Sequence, residues 1–357
     1  MRPRLEPMGF DSLAGWIEDD HQAALRAFER SARAMEGHKT SPRPAQSAPP
    51  ELVANAHAAL CSMTAVDARQ FFETRFRPFR VVSENGRGFL TGYYEPCVPA
   101  STAETEEFRW PILSRPEDLI SFGLDAAPVG FPKDISGARR LGDGSLVPYA
   151  DRAAIEAECR NPIVWVRDAV EAFLIQVQGS AQVEFSAGRR ARLAYNGRNG
   201  LPYTSIGKIL IEAGEIAEGA MSLAALKAWL RHDSARGLAM MQRNRSFVFF
   251  QLVEDFDPDL GPIAGAGVPL TPLRSIAVDR TIWPYGLPFW IDAELPWADP
   301  TPRPFRRLMI AQDTGSAVVG AARADLFFGS GDAAGARAGA IRHRAELMVL
   351  LPQGNEP

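Results

Sequence analysis

Cysteine is nearly absent: three residues in 357, Cys61, Cys97 and Cys159. So few, so far apart, exclude a disulfide scaffold, and no CxxC pair or Cys/His cluster offers zinc-ligand spacing. One thiol is left over unless it bridges to another chain. Histidine is scarce as well. The five residues at 21, 38, 57, 232 and 343 stand apart, with no HExxH and no nucleophile elbow, so neither metal catalysis nor a Ser/His triad has support. No apolar run approaches the ~18 residues of a membrane helix. The first residues, Met-Arg-Pro-Arg-Leu-Glu-Pro, lack the apolar core of a signal peptide. At face value that start reads as cytosolic, and a trimmed leader is the alternative. A basic excess is missing too: Lys+Arg is 39 against Asp+Glu 43, a net charge of −4, which argues against nucleic acid as partner. Gly265-Ala-Gly267 lacks the third glycine of a dinucleotide fingerprint. Gly329-Ser-Gly331 is expected not to open a strand–helix phosphate turn, and there is no GxxxxGK[ST].

What remains is an ordinary globular composition, 46% hydrophobic and 23% charged, long enough for two domains. Asp19 or Asp20 can cap a first helix whose Leu25, Phe28, Ala32 and Met35 share one face. Prolines 42, 44, 49 and 50 mark a loop, and Glu51 to Phe76 reads as further helix. Residues 79–83 and 89–94 read as strands joined by an Asn85-Gly86 turn. After Pro96 the prolines thicken and an acidic stretch follows at 104–107, which suggests a domain crossing. Short strands are expected at 163–166, 173–178, 182–185 and 190–195. Helices follow at 205–213, with Gly214 as stop, and after Ser222, with Leu223, Leu226, Trp229 and Leu230 on one face. A second β-rich region begins at 246–253 and continues near 274–279, 288–293, 307–312 and 346–351. Irregular spacing and frequent turns suggest a barrel rather than a parallel α/β sheet.

Two groups of residues could carry chemistry. Asp313, after an apolar strand, and Asp325, directly before Leu-Phe-Phe, lie twelve residues apart. Apolar neighbours strip a carboxyl of water, disfavour its charged form and suit it to donate a proton near neutrality. The plainer reading makes Asp313 a turn cap and Asp325 the ion-pair partner of Arg323. Asp313-Thr-Gly-Ser also matches the active-site turn of aspartic proteases, but only one such turn is present, so a protease would have to be a symmetric dimer. The second group is polar and aromatic: Thr91-Gly-Tyr93-Tyr94-Glu-Pro, Gln176-Val-Gln178-Gly-Ser180, and Tyr195-Asn-Gly-Arg-Asn199-Gly-Leu-Pro-Tyr203-Thr-Ser205. Tyrosine faces stack on pyranose rings, and amides and hydroxyls bond their substituents. If 173–178 is a strand, Gln176 and Gln178 share one face. Each motif alone also fits turns and core.

In this order and spacing, these motifs resemble the membrane-bound lytic murein transglycosylase A family, from about Gly88 to Leu351. The C-terminal three-aspartate signature is matched by Asp279, Asp313 and Asp325. The resemblance implies an α+β, mainly β fold: a double-psi β-barrel domain built from residues 1–102 and 246–357, and an inserted β-rich substrate-binding domain at 103–245, with a groove between them. It implies no cofactor and no metal. Its partner is the glycan strand of peptidoglycan, with association to cell-wall synthesis or division machinery. It implies a monomer in the periplasm, associated with the outer membrane. Asp325 takes the place of the catalytic acid, Asp313 that of the neighbouring carboxylate, and Asp279 a mainly structural place. Tyr93, Tyr94, Gln176, Gln178, Ser180, Tyr195, Asn199, Tyr203 and Ser205 are the expected glycan contacts. Ser316 and Val319 stand where many relatives carry Gly and Lys. A glycan-binding protein without turnover and the dimeric protease remain the competing readings.

Overall fold

The computed structural model describes residues 3–38, 41–61, 67–82, 88–122 and 127–354; the anticipated Asn85-Gly86 turn lies outside them. The chain forms two compact units, one from residues 1–94 and 257–357, the other from residues 95–256.

The first unit opens with β1 (Arg4–Pro7) and α1 (His21–Glu36). Asp20 caps α1 by accepting the Ala23 N–H at 2.9 Å, which satisfies one of the donors a helix start leaves orphaned. Leu25, Phe28 and Ala32 are buried, while Met35 of the same predicted stripe is only half-buried. The stretch 51–76, read as continued helix, is two helices, α2 (Pro50–Cys61) and α3 (Ala68–Arg75). Asp67 starts the second by accepting from Arg69 and Gln70 N–H. Phe28, Phe71, Phe72 and Phe76 then interlock at centroid distances of 5.3 to 6.3 Å, geometry that adds to their area burial. The strands β2 (Phe76–Val82) and β3 (Gly88–Glu95) follow.

The second unit carries β4 (Cys97–Pro99), β5 (Trp110–Leu113), β6 (Leu119–Ser121), β7 (Gly137–Arg140), β8 (Leu146–Pro148), α4 (Arg152–Glu158), β9 (Pro162–Val166), α5 (Ala169–Gln178), β10 (Ser180–Glu184), β11 (Arg190–Arg198), α6 (Ile206–Glu212), α7 (Leu223–His232), α8 (Ser234–Gln242) and β12 (Val248–Val253). Its sheets run β12-β11-β10-β4, β5-β9 and β6-β7-β8. Two expectations fail here. Residues 173–178 are helix, not strand. Asp168 accepts the Glu171 N–H at 2.7 Å, and Gly179 closes the helix at φ +84°, so capping at both ends overrides a short apolar run whose period is ambiguous. Second, β12 pairs with β11, so residues 246–256 belong with this unit. The units divide at 94/95 and 256/257, not at 102/103 and 245/246. The helix α8 has no counterpart in the sequence reading.

The chain returns to the first unit with β13 (Ser275–Val278), β14 (Pro288–Leu295), β15 (Arg303–Asp313), β16 (Arg323–Ser330), α9 (Asp332–Gly339) and β17 (Arg342–Pro352). The sheet order is β1-β2-β17-β14-β15-β13-β16-β3, and β3 pairs back onto β17. Six strands therefore close into a barrel, leaving no open edge within the ring. Both faces of β14 are covered: Phe289, Trp290 and Ile291 are fully buried in succession, and Trp16 packs edge-on against Trp290 at 5.2 Å. That explains a continuous apolar strand where a one-sided sheet would alternate. Gly329-Ser-Gly331 joins a strand to a helix, β16 to α9. Among the described residues no helix is long and apolar enough to cross a membrane.

Candidate active site

The register of three barrel strands brings the two carboxyls together. Ala277 of β13 lies opposite Asp325 of β16 in an antiparallel pair and opposite Asp313 of β15 in a parallel one, where the register shifts by a bulge. Directly opposed residues share a face of a sheet, and neighbouring strands lie about 4.8 Å apart. Asp313 and Asp325 therefore stand on one face, each opposite Ala277, with backbones about 10 Å apart.

Asp325 has one oxygen engaged. The Thr91 hydroxyl donates to its Oδ1, and the same hydroxyl accepts from Arg323 Nη2 at 2.6 Å. Arg323 Nη2 also lies 4.0 Å from Asp325 Oδ1, so the ion pair of the plainer reading is present alongside the link through Thr91, and Arg323 packs over Phe89. No described residue donates to Asp325 Oδ2. Burial pushes the Asp325 carboxyl above its ordinary range. The Asp313 charge pushes the same way, while Arg323 and Thr91 pull it down.

Asp313 is held differently. Tyr93 donates its hydroxyl to Oδ2 at 3.1 Å, and the Gly265 N–H donates to Oδ1 at 2.9 Å. A Cβ on Gly265 would sit 2.6 Å from the Tyr285 hydroxyl and 3.2 Å from Asp313 Oδ1, so only glycine lets that N–H approach. Burial, then the charges of Asp313 and Asp325, raise Tyr93 well above its ordinary range, which keeps it protonated as a donor. Tyr285 is raised by burial and Asp313, and it donates to the Arg43 carbonyl at 2.9 Å. Asp279 is buried and fully spent. Oδ1 accepts the Thr281 N–H (3.0 Å) and hydroxyl (2.6 Å), and Oδ2 accepts the Gly320 N–H (2.7 Å). It ties β13 to the loop before β16 and has no oxygen to offer a ligand.

Two residues of the Thr91–Pro96 motif take roles that the sequence reading missed. Thr91 touches the candidate acid. Gly92 lies where a Cβ would be 2.7 Å from the Ala338 carbonyl oxygen, so α9 can seat against β3. Tyr94, expected to stack on sugar, is 5% exposed and its ring packs against Gly335 of α9. It is core. Tyr93 is half-buried against Phe327 at 5.3 Å.

The polar cluster of the second unit is largely internal scaffold. Because 169–178 is a helix, Gln176 and Gln178 point about 200° apart. Gln176 is buried and accepts from Arg152 Nη1 at 2.9 Å. Arg152, itself buried, is stacked on Phe173 and Phe247. Asn199 is fully buried. Its amide donates to the Ala150 and Arg245 carbonyls, and its oxygen accepts the Phe247 N–H, each at 2.9 Å. Ser180 is buried in β10. Ser205 caps α6 through the Lys208 N–H. Gln178, Tyr195 and Tyr203 keep partial exposure. Burial raises the Tyr203 hydroxyl, against the pull of Ser205 and Arg152. Among the described residues no group of acidic, His and Cys side chains could hold a metal ion.

Residues 89–251 match the MltA specific insert domain, and residues 274–351 match the 3D domain. A solved membrane-bound lytic murein transglycosylase from Agrobacterium tumefaciens is 35% identical, with a TM-score of 0.88 over 98% of each chain. The chain belongs to the membrane-bound lytic murein transglycosylase A family. A second family member, from Vibrio cholerae, is 32% identical over 274 residues, 75% of this chain. The match spans 66% of that relative's length. The Escherichia coli family member solved with bound chitohexaose is 25% identical, with a TM-score of 0.68 over 98% of this chain and 91% of that one.

Proposed function

We propose that the protein is a lytic transglycosylase that cleaves the β-1,4 bond between N-acetylmuramic acid and N-acetylglucosamine in peptidoglycan without water. The reading is carried by one observation: a carboxyl, Asp325, raised by burial, with Oδ1 held by Thr91 and Oδ2 unclaimed. With Oδ1 already accepting, the proton resides on Oδ2, the oxygen free to meet a glycosidic oxygen. Asp325 donates that proton as the bond to C1 breaks and positive charge develops there. The resulting carboxylate takes the proton of the muramoyl C6 hydroxyl as that oxygen bonds to C1. The product is a 1,6-anhydro sugar, and the acid is regenerated. One carboxyl serves as acid and then base. Asp313, fixed by Tyr93 and Gly265, lies near enough for its charge to favour protonated Asp325. It also faces the charge that develops at C1. This differs from retaining hydrolysis, in which a second carboxylate ~5–5.5 Å away attacks C1.

The chitohexaose held by the Escherichia coli relative supports an amino-sugar polymer as ligand. Tyr195, Tyr203 and Gln178 of residues 95–256 are proposed glycan contacts, and so is Tyr93 of the barrel. The six-strand barrel is read as a double-psi barrel, and the protein acts in the periplasm, associated with the outer membrane, as the relatives' description as membrane-bound suggests. Incubation with purified murein, with products weighed by mass spectrometry, tests the reading. Muropeptides one water lighter than hydrolysis products are expected. Hydrolysis products, or binding without products, would overturn it, the latter in favour of a glycan-binding module.

A further inference from the structure

Prolines 42, 44, 49 and 50 belong to the segment ahead of α2, and its residues 41–46 pack on the aspartate site. The Ser41 hydroxyl and the Arg43 N–H (3.3 Å) both donate to the Gly265 carbonyl, and the Gly265 N–H in turn donates to Asp313 Oδ1. Arg43 Nη1 donates to the carbonyl of Thr314, the residue after Asp313, at 2.7 Å, and the Arg43 carbonyl accepts from Tyr285. Arg43 is thus bonded on both sides of Asp313. Burial, then the Asp313 charge, raises Tyr93 and Tyr285, and the Arg43 charge opposes both. The guanidinium is therefore felt at the hydroxyl that donates to Asp313. Three further bonds tie the segment to the turn of Asp279. The Gln46 N–H donates to the Arg280 carbonyl at 3.0 Å, the Gln46 side-chain amide donates to the Thr281 carbonyl at 2.9 Å, and Arg280 Nη1 donates to the Pro44 carbonyl at 3.1 Å. Pro42 and Pro44 fix φ on either side of Arg43, so the segment is stiff between its anchors.

We propose that residues 41–46 form a strap across the aspartate turns, in which Arg43 is a positioning residue for Asp313. The inference rests on the reading of Asp325 as the acid and Asp313 as its charged neighbour. Asp313 is the last residue of β15, where the strand ladder ends and the carboxylate must be held from outside the sheet. Arg43 grips the Gly265 and Thr314 carbonyls, which keeps the Gly265 N–H aimed at Oδ1 while Tyr93 holds Oδ2. A guanidinium suits the task because its donors are fixed in one plane. Its positive charge offsets part of the cost of seating two carboxyls on one face. Arg43 acts through Asp313 and has no part in the proton transfer itself.

Turnover of solubilised murein by single and double variants of the full chain tests the proposal. Arg43→Met should lower kcat about threefold with KM unchanged. Arg43→Lys, which keeps the charge and a donor, should recover most of that loss. In an Asp313→Asn background Arg43→Met should cost nothing further, because its effect runs through Asp313. A role in the fold alone would cost both backgrounds alike. Equal losses in the two backgrounds, a wild-type rate in Arg43→Met, or no recovery in Arg43→Lys would overturn the proposal. Hydrogen exchange reads the same contact without turnover. The Gly265 amide is expected to exchange about tenfold faster in Arg43→Met than in the wild type, and unchanged protection would overturn the proposal whatever the activity. A wild-type protein that releases no anhydro-muropeptides refutes the proposed reaction instead, and the exchange result then decides whether Arg43 positions Asp313.

Discussion

Asp325 in the barrel and Asn199 in the second unit are both polar side chains set among apolar strands, yet the structure uses them in opposite ways. Asn199 is fully buried and has each amide atom matched to a backbone group. Nothing is left over for a ligand, and its worth lies in holding β11, β12 and the loop before α4 in register. Asp325 is desolvated but matched at one oxygen only. A buried polar group satisfied on all sides is scaffold; one satisfied on one side is poised to do chemistry. Asp279 shows that being an aspartate of the same signature is not the criterion, since its three internal bonds place it with Asn199.

Four substitutions would break or sharpen that contrast. Asp325→Asn should have the largest effect, a loss of anhydro-muropeptide release of about a thousandfold or more, with the fold intact by circular dichroism. The same variant carries a stability signature. The Asp325 pKa is raised in the folded state, so the native protein binds more protons than the unfolded chain across that window. Its contribution is present below the unfolded pKa and is lost as pH rises through the folded one. Thermal unfolding at pH 4 and pH 7 should therefore show Asp325→Asn gaining on the wild type as pH rises. A constant gap would mean the carboxyl is not desolvated.

Thr91→Val keeps the shape and removes the hydroxyl relay. Turnover should fall about tenfold, and the alkaline limb of the pH–rate profile should move upward, because Thr91 favours the charged form of Asp325. Asp313→Asn should cost a few-fold and move the same limb downward, because a like charge is removed. If Asp313→Asn proves the more damaging of the two aspartate variants, their roles are reversed. Asn199→Ala should leave the pH profile where it is and instead lower the unfolding free energy by about 2–3 kcal/mol, read from denaturant melts, by stranding buried backbone groups. A binding defect without a stability loss there would return Asn199 to the list of glycan contacts.

Local signals were legible where one residue's chemistry sufficed. The caps Asp20, Ser205 and Ser222 start helices where the sequence places them, and most strands of the barrel lie where apolar runs end in turns. The reading failed where a segment carries two periods at once. Residues 169–178 are apolar enough for a buried strand, and only the capping by Asp168 and Gly179 decides for helix. That error also placed Gln176 on a ligand face when it binds Arg152. Thr91 was in plain view within its motif, but nothing in a threonine marks it as a carboxylate's partner 234 residues away.

By itself the sequence determined the family, through the order and spacing of its motifs, and with it the identity of the carboxyl to examine, because those depend on residues near one another in the chain. Only the tertiary structure decided which polar side chains are spent internally and which keep an atom unclaimed. That division follows from strand register across β13, β15 and β16 and from the packing of α5 and α9. Register and packing join residues hundreds of positions apart, and a side chain's solvation is a property of that surrounding rather than of its own type.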